Sequence, residues 1–393
     1  MTTFLLILLS SIGLLVLPII LLDLFYHYRE IYSRIWIGRW DSESDWLQAI
    51  SRKARQWAKN TPTVKLTDNN RYILLDKLKG KYRSGTIQSW QEAGLLLGLG
   101  YAAKNGVNTA ENNHSIEQFI SNKFDNNFNW KTPPEQVDAG ILAYALMKYT
   151  RDETKLQPAL QTVLEIIERC KDRNGLIAYR SFIPTIHFVD TIGFICPFLT
   201  RYGLTFDRPE YIDLAFRQIE EYTQNCFDPN RFLPVHAYDR KEKFPLGVFG
   251  WGRGLGWYIL GITDMYTELP EADERRNYLS ECIVKVAKET LLLQMENGGF
   301  KAMLVVENSR YDSSATAIIG WVLWHAYQIT GESKYKDAAK KCINALMTAT
   351  RRDGSIDFCQ GDTKGIGMYA DTFDIMPFVQ GLAIRLTVAL EIK

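Results

Sequence analysis

The pattern of apolar and polar positions divides the chain into a long apolar start and a series of paired helical segments. Residues 4–22 contain no charged side chain, and this run ends at Asp23. A run of that length is sufficient for a helix to span a bilayer. From about residue 41 onward, segments rich in small and apolar residues alternate with segments whose apolar positions recur at helical spacing. The second part therefore predicts a helical domain.

The apolar segments of this domain recur at nearly constant separation. They begin near Trp90, Asp138, Asp190, Trp251, Ser313 and Asp371, with spacings of 48, 52, 61, 62 and 58 residues. Amphipathic helices are predicted between them at residues 154–170, 208–226, 275–295 and 333–350, and a turn containing Gly or Asn follows each one. A repeat of this size is typical of a two-helix unit with its loops. The sequence therefore predicts a series of helical hairpins.

The two ends of the repeat predict that it closes on itself. No polar helix follows the last apolar segment, and no apolar helix precedes the amphipathic helix predicted at residues 46–59. We therefore predict an all-α fold, an (α/α)6 barrel of six helical hairpins, preceded by one N-terminal transmembrane helix. A long open α-solenoid is the alternative, but its end repeats should have polar capping faces. In the barrel, the starts of the inner helices surround one central pocket.

The flanks of the apolar run favour a retained membrane anchor over a cleaved signal peptide. No Lys or Arg precedes the run, and no cleavage site of small residues follows it. Arg29, Arg34 and Arg39 come soon after it, so the positive-inside rule predicts a single-pass membrane protein whose folded domain is cytoplasmic. We divide the chain into an anchor at residues 1–28, a juxtamembrane linker at 29–40 and the barrel at 41–393.

Composition excludes some classes of partner. The chain has 46 Lys and Arg against 45 Asp and Glu, so it offers no broad basic surface for nucleic acid. Its 10 Trp and 20 Tyr suit the apolar faces of sugars, although such residues also fill ordinary cores. The six cysteines lack metal-binding spacing, so we predict free thiols and no metal site. Oligomeric state is left open.

Two carboxylates occupy equivalent places in successive repeats. Asp138 and Asp190 each follow a Val at the start of a predicted inner helix. We predict that both are catalytic, because sugar hydrolysis commonly uses two carboxyl groups, one of which has a raised pKa. Asp190 lies among apolar residues, a setting that raises the pKa, and Gly193 is expected to leave room for a sugar. The alternative is that each Asp simply caps a helix.

A glycine-rich segment at residues 247–262 forms the second candidate element. Glycine at positions 250, 252, 254 and 256 permits close backbone approach, Trp251 and Trp257 offer stacking surfaces, and Arg253 is a bidentate donor. A phosphate-binding loop would carry Gly-Lys-Ser/Thr after a strand, and that motif is missing. A structural ion pair is the alternative role for Arg253.

Three further polar residues are predicted near the same pocket. His236 and Asp239 precede the glycine-rich segment, and Ser313 begins the next apolar segment. We predict that they bind substrate together with Trp251, Trp257 and Arg253. Helix capping is the alternative for the residues around Ser313.

The motifs VDTIGF, HAYD, WGRGLGWY and DSSATA occur in this order within a sixfold hairpin repeat. In this combination the chain, over about residues 40–393, resembles the unsaturated rhamnogalacturonyl hydrolases of glycoside hydrolase family 105. It is similar, more distantly, to the unsaturated glucuronyl hydrolases of family 88. The chain has Gly252 where the family has Ala, Ala237 and Tyr238 where it has Gly-Trp, and residues 192–194 where it has Leu-Phe-Met. These differences concern the pocket and therefore the exact substrate.

The resemblance implies a specific reaction. The substrate would be an oligosaccharide whose non-reducing end is a 4,5-unsaturated uronic acid left by a polysaccharide lyase. Asp190 would protonate C4 and help water add at C5, after which the hemiketal opens and releases the next sugar. Asp138 would orient the substrate and keep Asp190 protonated by like-charge repulsion, and His236 and Arg253 match family positions that line the sugar site. From the bidentate geometry of its guanidinium, we expect Arg253 to pair with the uronate carboxylate. No metal or organic cofactor is required.

Two other functions fit the same sequence features. One is a different (α/α)6 carbohydrate-active enzyme, an epimerase or a conventional glycosidase, which would act on a saturated sugar. The other is a non-catalytic, membrane-tethered glycan-binding protein, whose sugar binding would survive Asp190→Asn. The sequence does not identify the aglycone sugar or its linkage.

Overall fold

The computed structural model of the chain describes residues 2–62, 64–65, 67–82 and 89–391. Within these ranges it has fourteen α-helices, five short strands and one 3₁₀ helix, Glu153–Leu156. The helices are α1 Thr2–Arg34, α2 Glu43–Lys59, α3 Ile73–Leu78, α4 Ser89–Lys104, α5 Thr109–Lys123, α6 Ala139–Tyr149, α7 Gln157–Arg169, α8 Val189–Thr205, α9 Pro209–Asn225, α10 Gly252–Glu268, α11 Arg275–Leu293, α12 Ser313–Thr330, α13 Ser333–Thr348 and α14 Pro377–Glu391. The strands are β1 Ile186–Phe188, β2 Val235–Asp239, β3 Phe244–Phe249, β4 Cys359–Gln360 and β5 Phe373–Asp374.

Alternate helices form a closed inner ring. In the described part of the chain, α4, α6, α8, α10, α12 and α14 each pack against the next, and α14 packs against α4. The helices α2, α5, α7, α9, α11 and α13 pack around this ring. Inner helices such as α8 are buried almost all round, whereas outer helices such as α9 bury one face. The predicted (α/α)6 barrel is confirmed, and the open solenoid is wrong.

Two elements differ from the sequence prediction. The sixth inner helix begins at Pro377 and not near Asp371, because the intervening residues form β5 and a loop. The outer helix α5 was not predicted, since its sequence is mostly polar and it buries few side chains, among them Ile116 and Phe119. Both differences arise where the apolar pattern is weak.

The ring closes through direct contact between the backbones of α4 and α14. A Cβ atom added at Gly98 would lie 2.1 Å from the carbonyl oxygen of Gly381, and one added at Gly381 would lie 1.8 Å from that of Gly94. Real side chains cannot approach so closely. Glycine at these positions therefore permits the helix crossing that joins the first and last inner helices.

Two small antiparallel sheets lie in the loops that lead into the inner helices. The first has the order β1-β2-β3, with Phe188 opposite Ala237 and Val235 opposite Phe249. The second pairs β4 with β5, with Cys359 opposite Asp374. Because β1 runs directly into α8, the first sheet fixes the start of that inner helix.

Helix α1 is long and apolar enough to cross a membrane, and none of its apolar window is buried in the protein. It continues to Arg34, so the first residues of the predicted linker are helical. At this end the Arg34 Nε donates to Asp357 at 2.6 Å, and its Nη2 donates to the carbonyl of Phe373 at 3.1 Å. The division at residues 28 and 40 stays a prediction.

Candidate active site

A cavity of about 500 Å³ opens where the inner helices begin. Its walls come from the starts of α4, α8 and α10, from β2, and from two loops around residues 179–183 and 362–366. The predicted residues that line it are Asp190, His236, Trp251, Arg253 and Trp257. A larger cavity of about 710 Å³ lies between α5 and the segment after α6, and none of the predicted site residues lines it. The smaller cavity is therefore the candidate site.

Asp190 is the second residue of α8 and is buried. Its Oδ2 atom has no hydrogen-bond partner among the described residues. Burial raises the pKa of this carboxyl group to about 7, although the positive charge of Arg253 opposes the shift. A carboxyl group whose pKa is raised in this way can keep its proton near neutral pH, which suits a proton donor.

Asp138 is the residue immediately before α6, and it is also buried. In the described structure its side chain makes no capping hydrogen bond, and its Oδ2 atom is unpartnered. Burial raises its pKa to about 7, with Arg180 opposing. Asp138 is not part of the cavity lining. Neither of the two carboxylates caps its helix, so the capping alternative does not explain them.

The expected repulsion from Asp138 is not the main cause of the raised Asp190 pKa. The largest cause is burial, and the carboxylate that raises this pKa most is Asp362, in the loop opposite. Burial also raises the pKa of Asp362 itself. Arg253 and Arg180 lower the pKa values of both Asp190 and Asp362, so these four groups form one electrostatic unit.

His236 lies on β2 beside the carboxyl group of Asp190. Its Nε2 is 3.8 Å from the Asp190 Oδ2, too long for a hydrogen bond, and its Nδ1 has no partner within the described residues. Its ring contacts that of Trp251, with centroids 4.6 Å apart. Burial and the charge of Arg253 lower the His236 pKa to about 3. The imidazole is therefore neutral at physiological pH, and the contact is not an ion pair.

Arg253 binds the main chain of a neighbouring loop. Its Nη2 donates to the carbonyl of Gly361 at 2.8 Å, and its Nη1 donates to that of Gln360. The indole Nε1 of Trp251 donates to the side chain of Gln360 at 3.0 Å. Arg253 thus positions the loop that carries Asp362. The expected pairing of Arg253 with a substrate carboxylate has to compete with these two bonds.

Aromatic rings form one wall of the cavity. The ring of Trp257 packs against Phe194 at 4.7 Å and Trp90 at 5.6 Å between centroids, and it stacks on Phe378 at 5.6 Å. These residues come from four different inner helices. Trp90, Phe194 and Trp257 line the cavity, and aromatic side chains suit the apolar face of a sugar ring.

Besides Asp138, two predicted substrate-binding residues do not line the cavity. The carboxylate of Asp239 accepts the amides of Lys241 at 2.9 Å and Glu242 at 3.2 Å, which forms the turn between β2 and β3. The hydroxyl of Ser313 donates to the carbonyl of Asp357 at 2.6 Å at the buried start of α12. Both side chains shape the backbone outside the cavity lining, and their predicted role in substrate binding stays a prediction that this placement does not support.

The glycines near the site serve helix packing and not a ligand. A Cβ atom at Gly193 would lie 2.6 Å from the carbonyl oxygen of Trp257, and one at Gly252 would lie 2.8 Å from that of Lys301. The close approach that glycine permits is confirmed, but it is between elements of the barrel. The room expected for a sugar at Gly193 is filled by α10.

Sequence analysis missed three charged residues of the cavity. Arg180, Asp362 and Lys364 all line it. The Arg180 guanidinium lies 3.8 Å from the ring centroid of Tyr179, and Lys364 is paired with Asp68. Arg180 directly follows the strand-like stretch before an inner helix, which was a usable signal. Among the described residues, no group of three or more His, Cys, Asp or Glu is placed to hold a metal ion.

Comparison with known proteins agrees with this geometry. The family profile described as Glycosyl Hydrolase Family 88 matches residues 49–391. The chain belongs to glycosyl hydrolase family 88. The resemblance inferred from the four motifs is therefore confirmed, and the chain carries a glycosyl hydrolase domain.

Curated relatives cover part of the chain. An unsaturated 3S-rhamnoglycuronyl hydrolase of Formosa agariphila is 23% identical over 185 residues, which are 44% of this chain and 48% of that protein. A protein of the same name from an Alteromonas species is 26% identical over 159 residues, which are 39% and 38% of the two chains. The alignments thus span about half or less of these relatives.

Solved structures share the fold over nearly the whole barrel. A possible member of the GH105 family from Klebsiella pneumoniae superimposes with a TM-score of 0.73 at 21% identity, covering 90% of this chain and 94% of that one. The unsaturated glucuronyl hydrolase of Bacillus sp. GL1 gives a TM-score of 0.64 at 18% identity, covering 89% and 96%. At these identities the likeness establishes the fold.

Proposed function

We propose that this chain releases a 4,5-unsaturated uronic acid from the non-reducing end of oligosaccharides produced by polysaccharide lyases. The proposed reaction is hydration of the enol-ether double bond. The observation that carries the proposal is the buried carboxyl group of Asp190, which lies in a cavity lined by tryptophan and arginine. Its Oδ2 has no hydrogen-bond partner among the described residues, and its pKa is about 7. Protonation of carbon needs such an acid near neutral pH.

In the proposed mechanism Asp190 is both acid and base. Its carboxyl proton passes to C4 of the sugar, and the resulting carboxylate takes a proton from the water that adds at C5. The acid is thereby regenerated, and the sugar gains one hydrogen at C4 and one hydroxyl at C5. The hemiketal so formed opens and releases the next sugar.

The neighbours of Asp190 have distinct parts in this proposal. The Nε2 of the neutral His236 imidazole is 3.8 Å from the Asp190 Oδ2, and in this proposal it hydrogen-bonds the water or a sugar hydroxyl beside the acid. Asp138 does not line the cavity, and in this proposal it acts on the substrate indirectly, as a buried positioning residue at the start of α6. Because the two Nη atoms of Arg253 already bind the loop at residues 360–361, we assign the uronate carboxylate to Arg180, whose guanidinium lines the cavity.

We also propose that α1 is retained as a single-pass anchor and that the barrel lies in the cytoplasm. Arg29, Arg34 and Arg39 follow the apolar run and support this orientation. A reporter enzyme fused after residue 393 tests it. We expect activity from a reporter that works only in the cytoplasm. Activity from a reporter that works only after export would show that the proposed orientation is wrong.

The direct test is an assay of the purified chain on a panel of unsaturated disaccharides made by different lyases. The ultraviolet absorbance of the unsaturated uronide should disappear with wild type and persist with Asp190→Asn. Asp239→Asn, which changes a carboxylate in a turn outside the cavity, is the matched control and should retain full rate. If no disaccharide is consumed, or if Asp190→Asn keeps the wild-type rate, the proposal is wrong. Product analysis separates hydration from epimerisation or ordinary glycoside cleavage.

A further inference from the structure

The short helix α3 and the residue before it expose apolar side chains that a protein surface normally buries. Its carboxylate, Asp76, is buried and accepts a hydrogen bond from the Thr67 hydroxyl at 2.8 Å. Tyr72, Leu75 and Leu78 are exposed by 58%, 40% and 73%. Leu75 and Leu78 are three residues apart within the helix, so they share one outward face, and Tyr72 is exposed just before the helix begins. A surface helix in water normally places such residues inward and its charges outward.

Helix α3 is fixed to α1 at the point where the apolar run ends. The carboxylate of Asp23, the first charge after that run, accepts the amide of Tyr72 at 2.7 Å and that of Ile73 at 2.9 Å. These are the free amides at the start of α3, whose own preceding residue supplies no side-chain cap in the described structure. The Lys77 ammonium also lies 4.8 Å from the ring centroid of Tyr26 on α1. Helix α3 is therefore held at the end of the candidate membrane span.

Basic side chains flank the apolar face. Arg71, Lys77 and Lys79 are exposed, whereas the one acidic residue of α3 is turned inward. On α1, Phe25 and Tyr28 continue the exposed apolar surface just past Asp23, at 58% and 65% exposure. Apolar side chains ringed by lysine and arginine are typical of segments that lie in the interface of a membrane with anionic lipids.

We propose that α3 is a membrane-contact element. Tyr72, Leu75 and Leu78 enter the boundary between headgroups and acyl chains, while Arg71, Lys77 and Lys79 contact lipid phosphates. The proposal rests on the insertion of α1 as an anchor. Asp68, just before α3, binds Lys364 in the cavity loop and Thr372. The membrane contact of α3 therefore also holds the cavity side of the barrel close to the membrane.

The test uses the full chain in vesicles of phosphatidylcholine containing a minority of phosphatidylglycerol. A fluorescent dye is attached at Leu75→Cys or, as the matched control, at Leu204→Cys, because the two leucines are 40% and 39% exposed. Leu204 lies at the far end of inner helix α8, away from α3. All six native cysteines are buried, and the chain without an added cysteine gives the labelling blank.

Lipids with a quencher on the acyl chain should quench the dye at residue 75 several-fold more than the dye at residue 204. Equal quenching at both positions, in a chain that stays in the vesicles after alkaline carbonate washing, overturns the α3 contact and leaves the α1 anchor intact. Release of the chain by carbonate overturns the anchor and the α3 contact with it. Omitting phosphatidylglycerol should reduce the quenching at residue 75, and unchanged quenching would overturn the assigned phosphate contacts.

Discussion

Replacing Asp190 by Asn should abolish activity and at the same time stabilise the fold. The pKa of Asp190 is about 7 in the folded protein, against 3.8 for the free side chain. A gap of roughly three pKa units corresponds to about 4 kcal/mol at most, because one unit is about 1.4 kcal/mol. Loss of the proton donor should lower kcat by about 10²- to 10⁴-fold.

The sign of the stability effect depends on pH. Between about pH 4 and 7 the folded wild type binds a proton at Asp190 that the unfolded chain has already released, so its stability falls as pH rises through this window. Asn does not ionise and escapes this loss. The extra stability of Asp190→Asn should therefore grow by roughly 2 to 3 kcal/mol between pH 5 and pH 8.

Urea unfolding of the full chain in detergent micelles, followed at pH 5 and pH 8, measures this difference. Asp239→Asn is the control and should parallel the wild type at both values, because its carboxylate lies in the β2–β3 turn outside the cavity. If Asp190→Asn also parallels the wild type, Asp190 has no raised pKa and the physical argument for a buried acid fails, whatever the variant's activity.

Three further outcomes follow from the geometry. The initial rate should fall above about pH 7, because Asp190 loses its proton there. The rate should not fall between pH 7 and pH 5, because the pKa of His236 is about 3 and its charge does not change in that range. A bell-shaped pH profile centred near pH 6 would contradict this. Arg253→Lys should raise KM more than it lowers kcat in steady-state kinetics, because the lysine cannot hold both loop carbonyls; an unchanged KM argues against that role. Gly381→Ala should lower the thermal unfolding midpoint by the equivalent of about 3 kcal/mol. Gly13→Ala is the control and should leave the midpoint unchanged, because a Cβ atom there has no neighbour within 4 Å. If both variants unfold at the same temperature, the backbone contact between α4 and α14 is refuted.

The barrel could be predicted because its inner helices are apolar over most of their length. Repeating apolar segments reveal a ring even without knowledge of the contacts, and they located five of the six inner helix starts. Helix α5 was missed because a helix that buries few side chains needs little apolar sequence. The start at Pro377 was missed because β5 and its flanking residues mix apolar with acidic side chains, so the apolar pattern does not mark where the helix begins.

The candidate site could be predicted only where residues lie at the starts of inner helices. Asp190, Trp251, Arg253 and Trp257 share that position, and His236 is on the strand next to it. Asp362 and Lys364 lie in a loop without periodicity, and Arg253 rather than local sequence brings that loop to the cavity. Asp239 and Ser313 have suitable chemistry, but hydrogen bonds to the main chain hold them elsewhere.

The contact between α4 and α14 has a consequence for biosynthesis. The main-chain amide of Phe378 donates to the side chain of Gln91, across a separation of 287 residues. Until the last helix leaves the ribosome, the glycine face of α4 has no partner, and the ring stays open with its interior accessible to water. Contacts this distant in sequence form slowly. A barrel of this design should thus depend on chaperones during translation, and a ribosome stalled before codon 377 should hold a chain that proteases degrade readily.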